Sequence, residues 1–286
     1  MTSRRGVVNP GGRAKSGAMH KQFLAIRWGR KYGPEYLNRL YGMVARHTTP
    51  PFDFWCLTDD PVGTRPEVKC LPLPDLGCEP PKNTLGKWGK SRLWRPDLGG
   101  PTGPVLFLDL DVVVTGSMDG FFEVGSPDDV ILARSPTNPF EKLGQTSIYR
   151  YPVGKLAPLR EMFLADPQGI ADRYRFEQRF VSRHAPGGIS FWPKGWVAHY
   201  KRHCIPTFPM NYIRTPHLPK ETRVVIFPGP LNPPDAIAGR YRDTVPERPP
   251  LDHIAAGFRG ERREGLLSHL RHYTLPAPWV AEHWRE

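Results

Sequence analysis

PVLFLDLDVVV, residues 104–114, is the stretch whose reading decides the fold. It is apolar and rich in β-branched residues, and only Asp109 and Asp111 interrupt it. A continuous apolar strand is covered on both faces, as a central strand between two layers of helices is. Carboxylates two residues apart on a strand project from the same face. In a dry sheet they repel, and one holds a proton unless a cation shares their charge. Carboxylate oxygens suit hard ions such as Mg²⁺ and Mn²⁺. The C-terminal end of such a strand is where open α/β sheets bind ligands. Asp109 and Asp111 are therefore expected to hold a metal. The bland alternative is a pair that merely caps the strand. It is disfavoured because the chain stays apolar after the acids, and buried acids without partners are costly.

Upstream, FLAIRW (23–28) reads as a short buried strand. Gly33-Pro34 opens a helix, with proline where a missing N–H costs nothing. Tyr36, Leu37, Leu40, Tyr41 and Val44 form its core-facing stripe. FDFWCLT (52–58) is a second strand ending at Asp59-Asp60, and VKCLPL (68–73) a third, weakened by its proline. WGKSRLWRPDL (88–98) reads as a helix with Lys90 near its start. This alternation predicts an α/β fold with parallel strands. Downstream, 129–135, 146–154, 187–193 and 224–229 read as strands, and 156–166 and 171–184 as helices. The expected architecture is a single Rossmann-like α/β domain with a mixed central sheet over residues 22–240. A basic disordered tail precedes it over 1–21, and an extension over 241–286 packs back on it.

The chain carries 40 Lys and Arg against 28 Asp and Glu, a net +12. Residues 150–223 hold 13 basic and 5 acidic residues, so part of the excess is local. Such a face suits phosphorylated ligands or an anionic membrane surface, although a merely solvated basic face fits it as well. No basic block alternates with aromatics as a nucleic-acid groove does, so nucleic acid is not an expected partner. Four scattered cysteines, none in a CxxC, fit a reducing compartment. No run of about 20 apolar residues marks a membrane span, and no signal peptide is visible, which points to the cytoplasm.

LFLDLDVVVTGSMDGFFE (106–123) resembles the metal-binding segment of glycogenin-like (family 8) and related glycosyltransferases of the A fold. Residues 28–47, 52–60 and 88–98 upstream, and 188–206 and 224–239 downstream, resemble a bacterial branch of such enzymes, so the likeness covers about residues 22–240. It implies transfer of a sugar from a nucleotide diphosphate sugar, a UDP-sugar foremost, to a carbohydrate or glycolipid acceptor hydroxyl. In that setting Asp109 and Asp111 would hold Mn²⁺ or Mg²⁺. Trp28 and Tyr32 would supply an aromatic near the base, and Asp59 or Asp60 would accept from the uracil ring. Lys90 would face the phosphates, and Glu177 with Gln178 would lie near the anomeric carbon or the acceptor. Bland readings stand beside these: rim aromatics for Trp28 and Tyr32, a solvated Lys90, and a Glu177 paired to Arg173 or Arg175 on a surface helix.

The resemblance breaks at one point. Many relatives complete the metal site with a late His-Gly, where this chain has Phe227-Pro228-Gly229. His199, His203 or His217 could stand in, or the two aspartates could serve with water and diphosphate. Two other readings compete. Haloacid-dehalogenase-like phosphatases carry a similar DxD, but on their first strand. A basic, non-enzymatic binding module would use the local charge excess alone.

Overall fold

The computed structural model describes residues 20–85, 87–136, 141–242, 244, 247–262 and 264–286. Its strands are β1 (Lys21–Arg27), β2 (Phe52–Thr58), β3 (Lys69–Pro72), β4 (Pro104–Leu108), β5 (Val113–Val114), β6 (Ile131–Arg134), β7 (Gly144–Pro152), β8 (Ser190–Phe191), β9 (Val197–His199) and β10 (Val224–Ile226). Its helices are α1 (Pro34–Arg46), α2 (Ala157–Ala165), α3 (Pro167–Tyr174), α4 (Glu177–His184), α5 (Pro233–Ala238), α6 (Pro250–Phe258), α7 (Leu266–Arg271) and α8 (Pro278–His283).

Seven strands form a mixed sheet in the order β3-β2-β1-β4-β7-β6-β8, and three form a second sheet, β5-β10-β9. β1 runs parallel to both β2 and β4, and β3 parallel to β2. β7 is antiparallel to β4 and β6. The chain thus starts at β1, moves outward to β3, then returns to β4 on the other side of β1. That reversal opens a crevice beyond the carboxyl ends of β1 and β4, the place where open α/β sheets take ligands.

Two-residue alternation sorts the side chains into two cores. Phe23, Ala25, Leu106 and Leu108 face one layer with Leu37, Leu40, Met43 and Val44 of α1. Leu24, Ile26, Val105 and Phe107 face the other, with Trp94, Phe163 and Phe180. Burying each such Leu or Phe side chain stabilises the fold by about 1.5–3 kcal/mol. The C-terminal residues join the first layer. Trp284 is buried with Arg39 4.1 Å above its ring. Gly42 leaves room for the chain end, since a Cβ there would meet the Glu286 backbone at 2.6 Å. No helix among the described residues is long and apolar enough to cross a membrane.

Three elements differ from the sequence reading. The strand expected over 104–114 ends at Leu108, with Asp109 adding one ladder bond to Ser147 O at 2.9 Å. The chain then turns, and Val113–Val114 pairs with β10 in the second sheet. The valines are apolar because they lie in the core between sheets, not because the strand continues. The helix expected over 88–98 is a 3₁₀ turn, Trp88–Trp94, ended by extended Arg95 before Pro96. The helix expected over 171–184 is two, α3 and α4, broken at Arg175 with φ 62°. Of the tail expected over 1–21, residues 1–19 lie outside the described residues, and Lys21 opens β1.

Candidate active site

Lys90 lies at the crevice because its neighbours are anchored. Trp88 stacks on Phe163 at 5.2 Å, and Trp94 packs on Phe163 and Phe180, wedging the 3₁₀ turn between α2 and α4. Lys90 is then buried, 7% exposed, with Nζ 2.6 Å from Asp109 Oδ1 and 2.8 Å from Oδ2. Its Nζ is also 4.0 Å from Glu177 Oε1. Burial pulls the lysine pKa down, but Asp109 and then Glu177 outweigh it and the net shift is upward. Lys90 is a fixed cation between two acids.

Asp111 faces the exit of β1. The Tyr32 hydroxyl lies 2.7 Å from Asp111 Oδ2 and 3.0 Å from Asn232 Oδ1, and Lys31 Nζ donates to it at 2.7 Å. Burial, then the charge of Asp111, pushes the phenol pKa well above its ordinary value, so it stays a donor. The Asp111 carboxyl is itself raised, by burial first and by Asp109 second, against the pull of Tyr32 and Lys90. The repulsion anticipated for the two acids is thus present although they occupy a turn rather than a strand.

Glu177 reaches the site through the break at Arg175. Phe176 N–H donates to Tyr174 O at 2.6 Å around Arg175, whose φ of 62° and ψ of −39° describe a γ-turn of the rare, strained kind. Such strain costs on the order of 1–3 kcal/mol and gathers at functional sites. It starts α4 afresh at Glu177, which is 6% exposed. Thr146 Oγ1 donates to Glu177 Oε1 at 3.2 Å and Lys87 N–H to Oε2 at 3.1 Å. Its partners are therefore in the crevice, and not Arg173 or Arg175 as on a surface helix. Gln178 follows, half-buried, and its carbonyl accepts from Ser182 Oγ at 2.6 Å.

The remaining expected residues line the rim or lie elsewhere. Trp28 is half-buried over Gly89, where a Cβ would come within 3.2 Å of its Cζ2. Tyr32 is committed to Asp111, with its ring 4.7 Å from that of Tyr36. Asp59 and Asp60 are exposed at the exit of β2. Asp59 accepts from Gly29 N–H at 2.9 Å, tying two strand exits together, and Asp60 accepts from Val62 N–H at 2.9 Å within its own turn. His199 and His203 bond each other, His199 N–H to His203 Nδ1 at 2.9 Å. Burial, then His203, holds the His199 pKa down to about 4. His217 is exposed. Among the described residues no three or more His, Cys, Asp or Glu group to hold a metal. Sequence reasoning missed Thr146 and Asn232. Only the turn-forming Asn232-Pro233 pair carried a local signal, and it did not point to the site.

The crevice thus presents paired carboxylate oxygens, a buried cation and a buried third carboxylate. No known protein-family profile matches the chain, and no curated protein matches it. The fold does match solved structures. The galactosyltransferase LgtC in complex with donor and acceptor sugar analogs aligns at a TM-score of 0.52 and 12% identity, over 91% of this chain and 99% of that one. An active-site mutant of LgtC aligns at 0.54 and 12%, over 90% and 98%. GlyE, a glycosyltransferase of Streptococcus pneumoniae TIGR4, aligns at 0.52 and 11%, over 94% of this chain and 66% of that one. The chain therefore has the A-type glycosyltransferase fold, with a seven-stranded mixed sheet at its centre.

The acid pair sets a pH dependence. The Asp111 pKa lies above its ordinary 3.8 in the folded protein, so between these values the native state binds the extra proton. Stability then falls as pH rises through that window. In metal-free buffer at pH 7.5, Asp111→Asn is expected to melt above the wild type, with the gain fading as pH drops towards 4. Melting curves across that range check it, and a lower melting temperature for the variant at neutral pH contradicts it.

Proposed function

We propose that this chain is a glycosyltransferase that moves a sugar from a nucleotide diphosphate sugar, a UDP-sugar foremost, to an acceptor hydroxyl. The observation that carries the reading is the convergence of Asp109, Asp111, Lys90 and Glu177 at the switch point of an A-type glycosyltransferase sheet. The oxygen donors fit Mn²⁺ or Mg²⁺, because two partly buried carboxylates that repel each other need a cation, and hard ions take oxygen ligands. Asp109 and Asp111 would hold that ion, which when bound screens the charge of the diphosphate.

The chain's own residues supply the rest. Lys90, cationic and dry, stabilises negative charge that develops on the departing diphosphate more effectively than a solvated lysine does. Glu177, fixed by Thr146 and the Lys87 amide, stabilises positive charge at the anomeric carbon or orients the acceptor, with Gln178 beside it. Trp28 offers a π-face to the base at the rim, and Asp59 or Asp60 an acceptor to its edge. The phosphatase alternative carries its DxD on the first strand, whereas Asp109 and Asp111 follow the fourth, β4.

Asp111→Ala is expected to lower both sugar transfer and donor hydrolysis by on the order of 10²–10³ or more, and Glu177→Gln transfer by about 10²–10⁴. Rates with a UDP-sugar and Mn²⁺ decide it. Near wild-type, metal-dependent turnover in Asp111→Ala contradicts the assignment.

A second part of the reading places the enzyme in the cytoplasm, at the inner face of an anionic membrane that carries a glycolipid or surface-polysaccharide acceptor. Its four cysteines are free thiols, in keeping with a reducing compartment. Leu251 and Phe258, 81% and 69% exposed, stand seven residues apart on one face of α6, and exposed Leu267 follows on α7. Apolar groups on a strongly basic chain suit such a surface. Vesicles of anionic lipid are expected to bind the protein at low salt, and less so after Leu251→Ser with Phe258→Ser. Equal binding by the double variant, or none by the wild type, counts against it.

A further inference from the structure

We infer that Asn232 supplies the third protein ligand of the metal site through its side-chain amide oxygen, in the role that a late histidine plays in relatives. The inference rests on the metal-dependent reading of Asp109 and Asp111. Four observations carry it.

The first is the convergence of two oxygen acceptors at one point. Asp111 Oδ2 and Asn232 Oδ1 are both acceptors, and both lie within 3.0 Å of the Tyr32 hydroxyl oxygen. A hydroxyl has a single proton, so it cannot donate to both at once. Lys31 Nζ donates to the same hydroxyl, and the Asn232 side chain also takes part in the capping box of α5 with Asp235, which leaves a second lone pair of its oxygen for a cation. A cation placed beside the two oxygens satisfies both.

The second is the orientation of the amide. Asn232 Nδ2 donates to Pro230 O at 3.3 Å, and the oxygen, rather than the nitrogen, faces the Tyr32 hydroxyl that also contacts Asp111. Third, the residue is held in place. Its backbone N–H donates to Asp235 Oδ2 at 3.0 Å, Asp235 is buried and paired with Arg240 at 2.8 Å, and Pro233 fixes the chain that follows. A ligand fixed in this way loses little freedom when the ion arrives.

Fourth, the conventional ligands do not converge. No third His, Cys, Asp or Glu joins the two aspartates among the described residues. Strand β10 brings the apolar Ile226 and Phe227 to the end of the sheet, and Pro228 after them has no donor atom in its side chain. An amide oxygen is an ordinary ligand for hard divalent ions, and it keeps the site all-oxygen. Replacing imidazole by amide removes the borderline ligand that suits Zn²⁺, Cu²⁺ and Ni²⁺, so the site is biased towards Mn²⁺ and Mg²⁺.

Binding of Mn²⁺ alone to the full chain, followed by calorimetry and by Mn²⁺ electron paramagnetic resonance, tests this without reference to turnover. Asn232→Ala is expected to weaken Mn²⁺ by about tenfold or more. Asn232→His is expected to bind Mn²⁺, to gain affinity for Co²⁺, and to show the hyperfine coupling of a directly bonded nitrogen in pulsed spectra. Unchanged affinity in Asn232→Ala, or no nitrogen coupling in Asn232→His, overturns the assignment. Asp111→Ala separates Asn232 from the site as a whole. Loss of Mn²⁺ binding in Asp111→Ala but not in Asn232→Ala removes Asn232 alone, while retention in both removes the metal site itself.

Discussion

The charge of two neighbouring carboxylates is the constraint around which this crevice is arranged. Asp109 and Asp111 follow the central strand β4, half-buried at the crevice beside β1. Left alone, they would repel each other. Each has instead been given a separate partner. Lys90 grips Asp109 from the helical layer on one side, and Tyr32 contacts Asp111 from the exit of β1 on the other. Neither partner removes the mutual repulsion, and Asp111 remains raised. The site is therefore poised for a cation, and its ionisation costs the folded protein stability that a bound ion would restore.

The rest of the fold serves that arrangement. The 3₁₀ turn carrying Lys90 is short, yet its two tryptophans anchor it against α2 and α4. The γ-turn at Arg175 makes α4 begin at Glu177, and this points a third carboxylate at the same lysine. Lys90 thus links the end of the strand to the start of the helix. A loss of either acid, Asp109 above all, would leave a buried cation less well compensated, which is more costly than the loss of a surface pair.

Much of this frame was legible in the sequence. FDFWCLT coincides with β2, and Gly33-Pro34 marks the start of α1, because hydrophobic period and proline chemistry act locally. Asp109 and Asp111 stood out by residue type and spacing, and Lys90 through the family resemblance. What stayed hidden depended on long-range packing. The valines after Asp111 look like strand, but the partner that takes them into a second sheet, β10, is more than 100 residues away. Nothing in Tyr-Arg-Phe announces a γ-turn, since no glycine marks it. Tyr32 reads as a stacking aromatic until the fold brings it to Asp111. Asn232 reads as a turn residue until Tyr32 is seen to lie between it and that acid.

The central claim is that these groups form one site for a nucleotide sugar and a divalent ion together. Thermal shift of the wild-type protein with a panel of nucleotide sugars, each with and without Mn²⁺, tests it most directly. The account predicts that one donor, a UDP-sugar foremost, raises the melting temperature only when Mn²⁺ is present, since a ligand that binds the native state alone stabilises it. A melting temperature unmoved by every donor, or moved equally with and without the ion, would contradict it.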